Sequence, residues 1–137
     1  MSTINLQTMR YINLLDSTSR VKTSKCFIYN NAIVFAVPSF MVARAIGPGA
    51  INVRNIQEKL DKKIRIISEA KGLEDAGRFI QDIVAPVTFK SLEIKDNFLI
   101  INSGHHSKAA LIGRNKRRYE ELRQIIKDTF SMELKII

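Results

Sequence analysis

The stretch Val42–Arg54, which reads VARAIGPGAINVR, decides the fold because the chain repeats its pattern at Lys108–Glu120, which reads KAALIGRNKRRYE. Each copy places small residues before an Ile-Gly pair, follows the pair with a polar turn, and continues into an amphipathic segment. The pattern predicts a helix, a Gly-containing turn and a second helix. Such a turn presents backbone N–H groups at a helix N-terminus, where phosphate is favoured.

The two copies keep one register over three elements. Ile46 and Ile112 are 66 positions apart, and Ile33 and Leu99 upstream have the same offset. Downstream, 64–67 matches 134–137 at an offset of 70, so the second copy carries four extra residues, about one helical turn. Apolar positions match apolar positions throughout, which favours a duplicated fold over chance similarity between two amphipathic segments.

Length and charge indicate a globular chain with a polyanionic partner. The 137 residues, 45% hydrophobic and 26% charged, suit two small domains, which we place at residues 1–70 and 71–137. The net charge is +9: residues 1–70 have 10 basic and 4 acidic side chains (+6), and residues 71–137 have 12 and 9 (+3). This balance is typical of chains that bind nucleic acid or anionic membrane surfaces, and the alternative is merely a soluble, lysine-rich surface.

Neither export nor membrane insertion is expected. The sequence has no run of about 18 apolar residues and no basic-apolar-small leader. The single cysteine, Cys26, cannot form an internal disulfide, and its apolar surroundings favour a buried, inert thiol over a reactive one. We therefore expect a cytoplasmic protein without a membrane partner.

The apolar periodicity predicts the order α-β-β-α-α-β in each half, and so an α+β fold class. In the first half we expect helix 4–15, strands 21–29 and 32–37, helix 39–46, a further helix that ends near 60, and strand 63–68. In the second half we expect helix 74–84, strands 86–94 and 98–102, helices 104–112 and 115–130, and strand 132–137.

Local signals mark several of these ends. Ser2 or Thr3 can cap the first helix, and Ser39 is expected to cap the helix that Gly47 closes in a left-handed conformation. Asn30-Asn31 predicts a hairpin turn, because asparagine tolerates positive φ.

This order, with Ile-Gly-x-x at the junction of the second and third helices, resembles the KH domain in its prokaryotic (type II) arrangement. Two copies in one short chain resemble the tandem KH region of the archaeal NusA family. The segment Ala45–Arg54 carries most of the match, because Ile-Gly-x-x-x-x-Asn-Val-Arg is similar to the NusA loop and helix start. The resemblance covers nearly the whole chain, but not the polymerase-binding and S1 domains that flank the KH pair in bacterial relatives.

The resemblance implies two tandem type II KH domains, each with helices packed on one face of a three-stranded mixed sheet. It also implies single-stranded RNA as a partner, held by the backbone of a loop that clamps about four nucleotides. It places the chain in transcription elongation or termination and leaves contact with RNA polymerase open.

One departure from the family concerns the fourth position of the Gly-x-x-Gly loop, which is Ala50 in the first copy and Lys116 in the second. Alanine adds only a methyl group, so we expect the first loop to bind. Lysine adds a long cation that either blocks the approach of phosphate or holds it. The candidate RNA-binding residues are Arg44, Gly47, Pro48, Gly49, Ala50, Asn52 and Arg54 in the first copy, and Gly113, Arg114, Asn115, Lys116, Arg117 and Arg118 in the second.

Several of these side chains have a structural alternative. The cations of Lys116–Arg118 oppose the helix macrodipole by about 0.3–1 kcal/mol each. Ion pairs with Glu120 and Glu121 at i,i+4 would recover only a few tenths of a kcal/mol, so we favour anion binding. Arg54 is expected to face solvent and to contact either a phosphate or Glu58.

Nothing in the sequence supports catalysis, a cofactor, a metal or a small-molecule substrate. It contains no nucleophile–base arrangement and no Walker loop. Adjacent helical histidines point about 100° apart, so we interpret His105-His106 as a surface pair, with phosphate contact as a minor role, rather than as metal ligands. Aromatic residues are scarce and mostly at core positions. We therefore expect the bases to lie in a shallow aliphatic groove instead of stacking on aromatic rings.

The best interpretation is a NusA-like protein that binds single-stranded RNA and acts in transcription elongation or termination. One alternative is a KH protein of the ribosome or of RNA processing, with the same chemistry in another pathway. A second is a protein-interaction adaptor whose loops have lost RNA binding through Ala50 and Lys116. A salt titration of RNA binding separates the adaptor from the RNA-binding proteins.

Overall fold

A computed structural model describes residues 5–137 and divides them into two compact units, 5–69 and 70–137. The elements of the first unit are α1 (Leu6–Ser19), β1 (Lys25–Tyr29), β2 (Ala32–Val37), α2 (Val42–Ile46), α3 (Ile51–Leu60) and β3 (Lys63–Ser68). Those of the second unit are α4 (Ala76–Val84), β4 (Ser91–Lys95), β5 (Phe98–Asn102), α5 (His105–Ile112), α6 (Arg117–Phe130) and β6 (Glu133–Ile136). One-turn 3-10 segments precede α2, α3, α4 and α6.

Each unit builds a three-stranded mixed sheet in the same way. The first two strands pair antiparallel, and the third pairs parallel to the second, giving the orders β1-β2-β3 and β4-β5-β6. Ile33 lies opposite Ile64 in one sheet and Leu99 opposite Leu134 in the other, which preserves the sequence offsets of 66 and 70. The predicted α+β class and element order are confirmed. The four extra residues of the second copy lie in α6, which has 14 residues where α3 has 10.

The core of the first unit lies between its helices and one face of its sheet. Ile33, Phe35 and Val37 alternate along β2 and pack with Leu15 of α1 and Ile56 of α3. Fully burying an aliphatic or aromatic side chain of this size contributes about 1.5–3 kcal/mol. This face therefore supplies much of the stability that holds α2 and α3, and the turn between them, in place.

In the second unit burial alternates along β5, whereas all six residues of β2 are buried. Leu99 and Ile101 of β5 are fully buried, whereas Phe98 at the start of the same strand is 43% exposed. Phe79 of α4 meets Phe130 of α6 edge-to-face, with ring centroids 5.8 Å apart. One face of this sheet is thus covered, and α5 and α6 are fixed over it through buried residues such as Leu111 and Leu122.

Two strands begin later than predicted, because hydrogen bonds from side chains replace the hydrogen bonds between strands in the preceding residues. β1 begins at Lys25 rather than at 21, since the Thr23 hydroxyl donates to the Ala36 carbonyl and accepts the Lys25 N–H at 3.1 Å. β4 begins at Ser91 rather than at 86. There the chain first turns at Val87, whose carbonyl accepts the Gln81 amide of α4 at 2.8 Å.

The helix starts also differ from the predictions. Ser2 and Thr3 lie outside the described residues, and the N-cap of α1 is Asn5, whose Oδ1 accepts the Thr8 N–H at 2.9 Å. The prediction for Ser39 is wrong, because the chain passes from Pro38 into a 3-10 turn without a side-chain cap, and α2 starts only at Val42. The other late starts, of α4 and α6, likewise follow 3-10 turns.

The predictions of the hairpin turn and of the buried cysteine are confirmed. Asn30 and Asn31 form the hairpin turn, with φ values of 49° and 63°. Cys26 is buried in the first core. Within residues 5–137 no helix combines the length and the apolar character that a membrane crossing requires.

The burial of Cys26 has a measurable consequence at alkaline pH. Desolvation raises the pKa of its thiol from 9.0 to about 12. The unfolded chain therefore releases this proton above pH 9 while the folded chain keeps it, so the thiol lowers the free energy of unfolding as pH rises from 9 towards 12. The expected slope reaches up to about 1.4 kcal/mol per pH unit. Urea unfolding of wild type and Cys26→Ala at pH 8 and 10.5 checks this, because the alanine variant lacks this part of the pH dependence. Equal slopes would contradict it.

Candidate nucleic-acid interface

The first glycine of each loop is required by both conformation and space. Gly47 has φ 80° and ψ 163°, and Gly113 has φ 76° and ψ 171°. This region is essentially restricted to glycine, and it differs from the left-handed helical conformation predicted for Gly47. A Cβ would lie 2.8 Å from Asn52 Nδ2 at Gly47 and 2.9 Å from Arg118 Cγ at Gly113. Gly47 and Gly113 are the C-caps of α2 and α5, and both lead the chain into the loop.

The third and fourth loop positions also match. Gly49 has φ 60° and ψ 25°, and its counterpart Asn115 has φ 57° and ψ 28°. Ala50 has φ 60° and ψ 31°, and Lys116 has φ 60° and ψ 23°. Both residues are left-handed although neither is glycine. Lysine in place of alanine therefore leaves the backbone path unchanged, and the two loops present the same main-chain surface.

This shared conformation predicts that glycine at position 50 stabilises the fold. An L-residue in the left-handed region costs about 1–2 kcal/mol, and glycine removes that cost at the expense of some unfolded-state entropy. We expect Ala50→Gly to raise the free energy of unfolding by about 0.5–1 kcal/mol. The matched control is Ala43→Gly, because Ala43 is an exposed residue within α2. It should lose about 1 kcal/mol instead. Chemical denaturation of both variants tests this, and a loss of stability in Ala50→Gly would contradict it.

A hydrogen bond at equivalent positions braces each loop. Asn52 Nδ2 donates to the carbonyl of Arg44 at 3.1 Å, and Arg118 Nη1 donates to the carbonyl of Ala110 at 3.1 Å. Asn52 and Arg118 are 66 positions apart, as are the two acceptors. Each bond ties the start of the second helix to the end of the first. This bracing role was missed in the sequence, although the 66-residue offset pairs the two donors.

Arg54 bends back onto the first loop. Its guanidinium donates to the carbonyl of Gly49, and the side chain is exposed. Among the described residues it forms no ion pair with Glu58. The interaction supports the left-handed segment and keeps a positive charge at the rim of the loop.

Four further cations, which we call the loop cations, are exposed around the two turns: Arg44, Arg114, Lys116 and Arg117. Within residues 5–137 their side chains have no hydrogen bond or ion pair. The alternative pairing of Lys116 with Glu120 is not formed, since Glu120 instead accepts Arg123 Nη1 at 3.4 Å. The positive charge of the loop cations is therefore available to an anion.

The structure gives little support to metal binding, and it exposes two aromatic side chains. Among residues 5–137 no group of three His, Cys, Asp or Glu side chains could hold a metal ion, and His105 and His106 are both exposed at the start of α5. The prediction that phenylalanines lie mostly in the core is wrong for Phe40, which is 80% exposed just before α2, and for Phe98.

Comparison with known proteins finds archaeal relatives of this chain. No family model matches the chain. Three curated archaeal proteins, each described as a probable transcription termination protein NusA, do match. The chain is similar to the archaeal NusA proteins. The relative from Halococcus morrhuae is 22% identical over 134 residues, covering 96% of this NusA-like chain and 94% of its own length.

The other two relatives extend beyond the matched region. The protein from Methanocaldococcus jannaschii is 27% identical over 120 residues, covering 85% of this chain and 64% of the relative. The protein from Methanococcus vannielii is 33% identical over 105 residues, covering 74% of this chain and 54% of the relative. The crystal structure of APE1850 matches 98% of the NusA-like chain and all of its own, at 25% identity and a TM-score of 0.70. The tandem KH-like fold and the NusA-like relationship inferred from Ala45–Arg54 are confirmed.

Proposed function

We propose that the chain binds single-stranded RNA through its two turns and acts as a NusA-like factor in transcription elongation or termination. The observation that carries the proposal is the similarity of the two loop backbones: three φ/ψ pairs recur at equivalent positions from Gly47 to Ala50 and from Gly113 to Lys116, although the sequences differ. A conformation kept at the cost of left-handed alanine and lysine indicates that the exposed main chain itself has a role.

The electrostatics support an anionic ligand. The loop cations are exposed and unpaired within the described part of the chain, the net charge is +9, and each turn opens into a helix N-terminus. Phosphates neutralise cations that local helix stability alone would disfavour at Arg117. In this proposal units 5–69 and 70–137 act as separate RNA-binding domains.

The relatives' names support a role in transcription, and the residues of the two loops support binding rather than catalysis. The three relatives are named for transcription termination, and the loops offer main chain and cations but no nucleophile–base pair. The NusA-like chain therefore acts by binding RNA, in the cytoplasm and without a cofactor. Contact with RNA polymerase is part of the same proposal.

A salt titration tests the proposal. Fluorescence anisotropy with a labelled ten-nucleotide RNA should show affinity falling as salt rises. If about four phosphates are contacted, the log–log slope is expected near −3, and a duplex of the same sequence should bind more weakly. A flat response, or equal affinity for the duplex, would contradict single-stranded RNA binding and favour the adaptor.

A further inference from the structure

The second unit carries a basic cleft at the opposite end of α5 from the loop at Gly113. Two adjoining cavities of about 410 Å³ and 350 Å³ share Lys90, Gly104 and His105 in their walls. Volumes of this size are typical of small-ligand sites. We call the pair the α5 cleft.

The side chains that line the α5 cleft include four basic residues. Lys90 and His105 line both cavities, His106 lines the larger and Lys108 the smaller, and no Asp or Glu side chain lines either, although the main chain of Ile137, the last residue of the sequence, lines the smaller. Within residues 5–137 none of these four side chains has a hydrogen bond or ion pair. A third cavity of the same unit, of about 370 Å³, contrasts with this, because Asp128 and Glu133 accompany its lysine, Lys127.

The backbone around the α5 cleft is fixed by hydrogen bonds. The Lys90 N–H donates to the Asn102 carbonyl at 2.8 Å, which holds the segment before β4 against β5. The Lys90 stem then crosses Gly104, where a Cβ would lie only 3.1 Å from Lys90 Cε. The Ser103 hydroxyl donates to the Ile137 carbonyl at 2.8 Å, which fixes the other wall.

These basic residues are particular to the second unit. At the 66-residue offset, the counterparts of Lys90, His105, His106 and Lys108 are Ser24, Ser39, Phe40 and Val42, none of them basic. The positive charge is thus not a shared feature of the duplicated fold. It marks a site that the first unit lacks.

We propose that the α5 cleft binds one nucleotide of the RNA strand, with its phosphate between Lys90, His105 and Lys108 and its base against the half-buried ring of Phe89, which lines the larger cavity. This inference rests on the proposed RNA-binding function and extends it. The eight residues of α5 span about 12 Å. A strand held at Gly113–Lys116 therefore reaches the α5 cleft within a few nucleotides.

The test is a pair of charge-matched variants. In Lys90→Ala/Lys108→Ala, affinity for the ten-nucleotide RNA should fall about tenfold, and the salt slope should flatten by about 0.7 for each phosphate that is no longer neutralised. The control, Lys95→Ala/Lys127→Ala, removes the same charge from exposed positions of the same unit and should stay within about twofold of wild type. An equal decrease in both variants would overturn the proposal, because the α5 cleft would then contribute only net charge.

A second readout separates the α5 cleft from the loops. Titration with uridine 5′-monophosphate should shift the NMR amide signals of Lys90, His105 and Lys108 in wild type and not in the double variant. Inorganic phosphate should give part of the same response. If RNA fails to bind while these shifts persist, the proposed function fails and the cleft stands. If RNA binds but the nucleotide causes no such shifts, or only an acidic peptide does, the cleft proposal is overturned.

Discussion

Replacing Gly49 and Ala50 together with aspartate is expected to weaken binding of single-stranded RNA about a hundredfold. Both residues occupy left-handed positions in the first turn, and, apart from Gly49 and its two chain neighbours, no residue has an atom within 4 Å of a Cβ built at Gly49. Two carboxylates added there would face the phosphates that the loop holds. Like charges at about 4 Å repel by about 1–4 kcal/mol, depending on the local dielectric, and about 2.7 kcal/mol corresponds to a hundredfold change in affinity. Fluorescence anisotropy measures the decrease directly.

The matched control is the double change of Gly49 and Ala50 to asparagine. Asparagine has the shape of aspartate, carries no charge and tolerates the left-handed conformation. It should therefore bind within a few-fold of wild type. If the asparagine variant loses as much affinity as the aspartate variant, shape rather than charge governs the first loop. If neither variant loses affinity, this loop does not contact phosphate.

Changing Arg114, Lys116 and Arg117 to alanine is expected to weaken binding about thirtyfold and to reduce the log–log salt slope by up to about 2. Each phosphate of a single strand that is no longer neutralised removes about 0.7 from the slope. Arg118 stays in place because it braces Ala110 and packs beside Gly113. The free energy of unfolding should be level or slightly raised, since cations near a helix start are locally unfavourable.

A charge-matched control distinguishes a site from bulk charge. Lys95, Lys127 and Lys135 are exposed lysines of the same unit, and changing them to alanine also takes the net charge from +9 to +6. This variant should lose only a few-fold in affinity. The outcome that counts against the second loop is an equal decrease in both triple variants. A fold destabilised by more than about 1 kcal/mol with RNA affinity untouched would make the cations structural and favour the adaptor.

Much of the fold could be predicted from the sequence, because two copies of the same pattern constrain each other. Burial at Ile33 follows from the continuous apolar run of β2 and burial at Leu99 from strand alternation in β5, and the 66-residue offset pairs the two strands. The strand starts at Lys25 and Ser91 could not be predicted in this way. Apolar side chains such as Val21 are buried before the first strand without joining the ladder, since side-chain hydrogen bonds replace it.

The candidate site was predictable in position but not in detail. The Ile-Gly pairs gave the positions of both turns, and the Arg and Lys residues beside them gave the candidate phosphate-binding cations. The sequence did not show that Lys116 adopts the conformation of Ala50, because left-handed lysine is unfavourable locally and is held only by the surrounding helices. It also did not separate Arg118, which braces α5, from Arg117, which is exposed and unpaired among residues 5–137.

The central claim is that both turns hold the phosphates of a single RNA strand, and amide chemical-shift mapping tests it most directly. Titrating ten-nucleotide single-stranded RNA into the isotopically labelled chain should shift the amide signals of Gly47, of residues 49–54 and of Gly113–Arg118 more than those of α1, α4 or the buried strands. Equivalent loop positions, such as Ala50 and Lys116, should respond together. RNA binding that shifts signals elsewhere and leaves both turns unchanged would contradict the account.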